Sequence, residues 1–155
     1  MKRYNIAIYQ CQNCNHILEA PALSDFSYGE FILSSISGEY RYLNAIEDSI
    51  YKEVSDMISK QEKELQVDIQ NIFGPLACDT DKNGHSFHIG VYHCPNCKSR
   101  RFKVLNINFD DFTVVLPVTH NQWEKLNNKQ KETAYLGLVY LEKVGFTTST
   151  LMAAT

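Results

Sequence analysis

Two Cys-x-x-Cys pairs, Cys11-Gln12-Asn13-Cys14 and Cys94-Pro95-Asn96-Cys97, stand far apart in this chain. Thiolates at that spacing bite one ion from a tight turn, and two such turns close a tetrahedral shell of four sulfurs at about 2.3 Å per bond. Zinc suits that shell, as one structural ion per chain with Cys11, Cys14, Cys94 and Cys97 as its ligands. Each pair lies between stretches with strand character. Residues 4–9 lead into the first pair, and Ile17-Leu18-Glu19-Ala20 leads out until Pro21 stops it. Residues 87–93 alternate into the second pair, and 102–109 alternate out of it. The expected layout is two hairpins, each with a cysteine pair at its tip.

Two rival uses of the cysteines fail on their neighbours. A thioredoxin-type Cys-Pro-x-Cys opens a helix whose N-terminus depresses the thiol pKa. Here Lys98 to Val104 read as the return strand of a hairpin. Attachment of a c-type haem needs histidine directly after the second cysteine, where this chain has Asn15 and Lys98. On these motifs the chain resembles the zinc-ribbon superfamily, and more loosely the bacterial CpXC-type domains in which two such motifs flank a helical insertion. The resemblance covers 4–20 and 87–109 and implies metal ligation by the same four cysteines. In the family a glycine usually follows the second cysteine; here Asn15 and Lys98 must take the left-handed conformation, at greater cost for the lysine.

The stretch 15–93 is too long for a plain loop and must hold structure of its own. Over 39–73, Leu43, Ile46, Ile50, Val54, Met57, Ile58, Leu65, Ile69 and Ile72 recur at three- and four-residue steps, which predicts a helical insertion. Gly74-Pro75 is its expected stop, with a second break near Lys60. Before it, 31–36 reads as a short strand that Ser37-Gly38 turns into the helix. After the second hairpin, Asp110-Asp111 reads as a turn and 112–116 as another strand closed by Pro117. Thr119 begins a Thr-x-x-Gln capping pattern. Helix then runs past Trp123 and Leu126 to a break at Asn127-Asn128, and again from 129 to 143, with Gly145 as its stop. Residues 134–141 are apolar almost all round, so that helix is buried on more than one side or covered by a partner. The last ten residues read as a frayed tail. The fold expectation is α+β in a single domain, 1–155: a split zinc ribbon at 1–20 and 87–118, the helical insertion at 39–73 and a C-terminal helical segment at 119–145.

A chain of 155 residues, 44% hydrophobic and 21% charged, is of globular type and large enough to bury a core without staples. Its net charge of -3 supplies no global field to draw it onto nucleic acid or an anionic membrane. The N-terminus lacks the apolar core and cleavage site of a signal peptide, and no run has the length of a membrane span. A cytoplasmic protein without membrane association is expected, in a compartment where paired cysteines bind metal more often than they cross-link. A local basic run, Lys98, Arg100, Arg101 and Lys103, lies beside Tyr92 and Phe102 and offers a small nucleic-acid contact. Strand alternation splits it between two faces, and the acids of 39–73 can neutralise it.

Asp79-Thr80-Asp81-Lys82-Asn83-Gly84 matches the first half of a calcium loop, but Gly90 stands where the bidentate glutamate belongs. Asn83-Gly84 before a strand reads as a turn without any ion. His16 and His93 lie beside the cysteine pairs and are expected to pack behind the ligands. Cys78 reads as a small buried apolar residue, and Trp123 and Tyr140 as core or interface anchors. No catalytic constellation emerges. The functional expectation is a non-enzymatic, zinc-stabilised interaction protein binding through the acidic insert and the exposed part of the C-terminal helix. A bacterial immunity protein that neutralises a basic nuclease toxin is the specific case that fits its charge and size. The alternative is a nucleic-acid-binding zinc ribbon serving transcription or translation.

Overall fold

The computed structural model describes residues 1–145. The tail reading for 146–155 lies outside them. The chain is α+β, with strands β1 (Lys2–Cys11), β2 (Ile17–Ala22), β3 (Glu30–Ser34), β4 (Tyr40–Asn44), β5 (His88–Ile89) and β6 (Phe102–Pro117). Its helices are α1 (Ser49–Ser59), α2 (Ile69–Ala77), α3 (Asn121–Glu124) and α4 (Asn128–Lys143). The strands form one six-stranded mixed sheet in the order β2-β1-β6-β4-β3-β5. Its halves, β2-β1-β6 and β4-β3-β5, join where Arg41 and Tyr42 run parallel to Leu116 and Pro117.

Alternation on β3 and β4 divides the core into two. Leu33 and Leu43 face the helices and join Val54, Ile72, Phe73, Phe87, Trp123, Tyr135 and Val139 in the main cluster. Ile32, Tyr40 and Tyr42 face the other way and meet Tyr4, Val115 and Tyr92 in a smaller, tyrosine-rich cluster.

The helical reading of 39–73 starts too early. Residues 40–44 pair with β3 as a strand, because Gly38, at φ 82°, closes a turn that reverses the chain. Only from Asp48 does helix begin, its carboxylate accepting the Tyr51 amide at 2.8 Å. The break near Lys60 is present as the end of α1, and a short 3-10 turn at Lys63–Leu65 leads to Asp68, which caps α2 through the Gln70 amide.

Gly74-Pro75 does not end the helix; both lie inside α2. A Cβ built on Gly74 would sit 1.9 Å from the Phe87 carbonyl oxygen, so the glycine is there to let α2 touch the strand beside it. Pro21 likewise fails to stop β2. It pairs opposite Ile6 on the outermost strand, where a missing N–H costs no ladder bond.

The second hairpin is not formed. Only His88 and Ile89 are strand before the second cysteine pair, and they pair with β3. The strand after it, β6, pairs with β1 instead. Nor does Asp110-Asp111 reverse the chain: Ile6 is opposite Asn108 and Asn5 opposite Phe112, so the residues between bulge out of one continuous strand. The Asn108 side-chain oxygen, Oδ1, holds the bulge by accepting the amides of Asp110 and Asp111 at 3.0 and 3.3 Å.

The Thr119 capping box is absent as well. Thr119 donates its hydroxyl to Asp79 at 2.6 Å, and the capping box is at Asn127 and Gln130, opening α4. α4 buries Tyr135 and Val139 and leaves Leu136 and Tyr140 exposed one turn apart, with the exposed Val144 just past its end as C-cap.

Candidate metal centre

The strands bring both cysteine pairs to one end of the sheet. Cys11 ends β1 opposite Phe102, the first residue of β6, and the Gln12 amide donates to the Arg101 carbonyl at 2.9 Å. The two turns are built alike. In the first, the Cys11 amide donates to the His16 carbonyl at 2.8 Å and the Asn15 amide to the Cys11 carbonyl at 2.9 Å. In the second, the Cys94 amide donates to Ser99 and the Lys98 amide to Cys94, both at 2.8 Å.

Four sulfurs result from two copies of this turn facing each other. Cys11 Sγ lies 3.5 Å from Cys97 Sγ, Cys14 Sγ lies 3.5 Å from Cys94 Sγ, and all four ligand atoms fall within 4.8 Å of one another. A tetrahedral shell with metal–sulfur bonds of about 2.3 Å has edges of about 3.8 Å. The cluster therefore has the size of a metal site. All five cysteines are free thiols, and Cys78 is not part of the cluster.

The thiols are unequal in a repeated way. Cys11 and Cys94, the first of each pair, are buried, whereas Cys14 and Cys97 are half-exposed. Burial pushes the Cys94 thiol up to about 11. A hydrogen bond from the Asn13 side chain leads the causes that bring Cys97 down to about 6, and the Asn96 side chain leads those that lower Cys14. Each turn thus supports a thiolate of the other turn through the asparagine that precedes its own second cysteine. Deprotonated sulfur is the form that binds metal.

Asn15 and Lys98 both take the left-handed conformation, at φ 61° and 63°. Asparagine tolerates it, whereas for lysine it costs about 1–2 kcal/mol. Replacing Lys98 with glycine is expected to stabilise the chain by about 1 kcal/mol, less the backbone freedom glycine loses on folding. Asn15→Gly is expected to change stability less. Urea unfolding of the metal-loaded protein reads both.

Neither neighbouring histidine belongs to the four-cysteine cluster that could hold a metal ion. His16 is exposed, and His93 is half-buried with its Nδ1 lacking a hydrogen-bond partner among the described residues. Nearby, His88 is 5% exposed, and burial first, then His93 and Arg100, push it down to about 4. The folded protein holds His88 neutral while an unfolded chain protonates it near 6.5, so stability falls as pH drops through 6.5 and levels off below about 4. That gap corresponds to about 3 kcal/mol. Between neutral pH and about 4, His88→Phe is expected to lose less unfolding free energy than the parent by roughly this amount. Parallel denaturation curves check it, since any acid release of metal is common to both proteins.

A second polar cluster lies where three helices meet. His120 Nε2 donates to Asp48 Oδ2 at 2.9 Å, and Nδ1 donates to the Ala77 carbonyl at 2.7 Å, joining the start of α1 to the end of α2. Burial opposes a charge on His120, but the bonds to Asp48 and Ala77 outweigh it and raise its pKa. This contribution is complete below the unfolded value of 6.5 and is lost as pH rises through the folded one, opposite in sense to His88. Beside it, both oxygens of Asp79 receive the first amides of α3, from Asn121 and Gln122 at 2.9 Å, and the carboxyl is held at about 2. Nothing local in the sequence marks these contacts.

Cys78, His120 and Asp48 invite comparison with a nucleophile, base and orienting acid. Both imidazole nitrogens are already committed, and burial raises the Cys78 thiol far above neutrality. That is the opposite of an activated cysteine. The 79–84 stretch is a turn. Asp79 serves α3, and Asp81 accepts the amides of Asn83 and His85 at 2.8 and 2.9 Å. Lys98, Arg100, Arg101 and Lys103 are all exposed around the second cysteine turn, and no helix among the described residues is long and apolar enough to cross a membrane. No protein-family model, no curated protein and no solved structure matches the chain.

Proposed function

We propose that the chain is a non-enzymatic interaction module stabilised by one structural zinc ion bound to Cys11, Cys14, Cys94 and Cys97. The four-cysteine cluster carries the reading. A shell filled by four protein thiolates keeps no open position for substrate or water, which distinguishes structural zinc from catalytic zinc. The β2-β1-β6 layer with both cysteine turns at one end is read as a split zinc ribbon that has lost the incoming strand of its second hairpin.

For the binding surface, the exposed Leu136 and Tyr140 on α4, with Val144 at its C-cap, supply apolar anchors. The helical segments of 47–68, richer in acids than in bases, supply a field that favours a basic partner. A cytoplasmic immunity protein against a basic nuclease toxin is the specific form of this reading.

Affinity capture from the native host with the zinc-loaded chain tests it. Capture of a basic protein that survives moderate salt, is lost with Tyr140→Asp and is kept with Arg100→Glu/Arg101→Glu is expected, because apolar burial resists salt that weakens phosphate contacts. Salt-sensitive binding of RNA or DNA, destroyed by the arginine double change, would replace this reading with the nucleic-acid one.

A further inference from the structure

We propose that the cavity around Lys2, Tyr4 and Glu30 binds a free aromatic α-amino acid, with Lys2 and Tyr4 taking its carboxylate and Glu30 its ammonium group. Alternation puts Lys2 with Tyr4 on β1, Glu30 with Ile32 on β3 and Asn44 with Tyr42 on β4, all on the face of the tyrosine-rich cluster. Lys2 and Glu30 form an ion pair although β6 and β4 stand between their strands in the sheet order. Three inter-strand spacings of about 4.8 Å are too wide for that contact across a flat sheet, so the sheet curls there into a mouth. A cavity of about 370 Å³ opens at this mouth, and its lining includes Lys2, Tyr4, Glu30, Asn44, Phe26 and Tyr28. That is the size of a small-molecule site.

The charges at the mouth select a zwitterion. Lys2 and Glu30 satisfy each other in the free chain, so a lone anion taking Lys2 strands Glu30, and a lone cation taking Glu30 strands Lys2. A free α-amino acid holds its carboxylate and ammonium group on one carbon and replaces both halves of the pair at once. The interior of a peptide carries neither charge, and each of its ends carries one. Phe26 and Tyr28 are 97% and 89% exposed and offer ring faces to an aromatic side chain.

Beneath the ion pair lies a donor without a partner. Tyr4 is 5% exposed, its hydroxyl is closed to solvent and makes no hydrogen bond among the described residues, and the Lys2 ammonium sits 5.7 Å from the centre of its ring. Burial first, then Tyr42, push its pKa up to about 12, so the hydroxyl keeps its proton and is a donor. Buried hydroxyls nearly always find an acceptor, and a carboxylate drawn in by Lys2 supplies one. Lys2 reaches over this ring to Glu30, so the site opens as the pair does, at the small cost of a partly exposed ion pair. Lys2 and Cys11 lie at opposite ends of β1 and α4 takes no part, so this inference does not rest on the interaction-module reading.

Titration of the zinc-loaded full chain with L-phenylalanine, followed by two-dimensional NMR, is expected to shift the amides of 2–5, 26–30 and 44 with a Kd of about 1 mM or below. Hydrocinnamate, which lacks the ammonium group, and phenethylamine, which lacks the carboxylate, are each expected to bind about tenfold more weakly. Glu30→Gln is expected to weaken L-phenylalanine while leaving hydrocinnamate as tight or tighter, a split that a loss of folding does not produce. Tyr4→Phe is expected to weaken L-phenylalanine about fivefold with an unchanged melting temperature, because the hydroxyl makes no bond in the free chain. No saturable binding of L-phenylalanine by about 10 mM, equal affinity for either analogue, or an affinity indifferent to both substitutions would each overturn the proposal.

Discussion

Cys94→Ser is expected to release the metal and lower the melting temperature sharply, while leaving part of the molecule folded. A structural four-thiolate site contributes on the order of 10–16 kcal/mol of apparent binding free energy in peptide-sized domains, comparable with the whole stability of an ordinary domain. Here the loss does not fall evenly. Cys94 is fully buried between the two cysteine turns, and the ends of β1 and β6 and the start of β2 are tied together there. The helical core, by contrast, is built from Leu33, Leu43, Phe73, Trp123 and Tyr135, none of them in the cysteine cluster. Trp123 is the only tryptophan, buried in that core, so its fluorescence reports the helical part alone. The expected result is one zinc per wild-type chain by elemental analysis and none in the variant. Exchange should rise at amides near Cys11 and Phe102, with a Trp123 emission that stays blue-shifted at low temperature. A metal-free native protein, or a native disulfide between Cys11 and Cys14, would remove the site and the function built on it.

The cysteine cluster was legible because ligation imposes a local rule. Two thiolates on one ion need a fixed spacing, and each turn needs a left-handed residue after its second cysteine, as Asn15 and Lys98 provide. Strand partners obey no such local rule. The flanks of the second pair have strand character, but β6 pairs with β1 and β5 with β3, a choice made by packing rather than by neighbours in sequence. Residues 40–44 were misread because Leu43, Ile46 and Ile50 fall at helical steps by coincidence, and a five-residue strand is too short for its own period to stand out. The capping box at Thr119 lost to Asp79, which offers an ionised acceptor from forty residues away. The helix breaks near Lys60 and Asn127 were read correctly, since their signals lie within a turn of the residues they end or begin.

Glycine gives the sharpest separation between what a local rule reads and what packing dictates, because α2 and α4 each hold one in their interior. Gly137 in α4 has open space around the position of a Cβ, so alanine there gains helix propensity and meets nothing. Gly137→Ala is expected to stabilise the chain by about 1 kcal/mol and raise the melting temperature by about 2–4 °C. At Gly74 the same methyl would lie 1.9 Å from the Phe87 carbonyl oxygen and 2.8 Å from its carbon. Both are backbone atoms, with no flexible side chain to swing aside, and moving them displaces Phe87 and His88 from the core they fill. Overpacking usually costs about 1–3 kcal/mol, and a clash of helix against strand backbone belongs at or above the top of that range. Gly74→Ala is therefore expected to destabilise by about 3 kcal/mol or more and lower the melting temperature by about 6–12 °C, despite its better helix propensity. Thermal unfolding of the two alanine variants in parallel decides the matter. Equal shifts of the same sign would mean that α2 and β5 do not touch at Gly74.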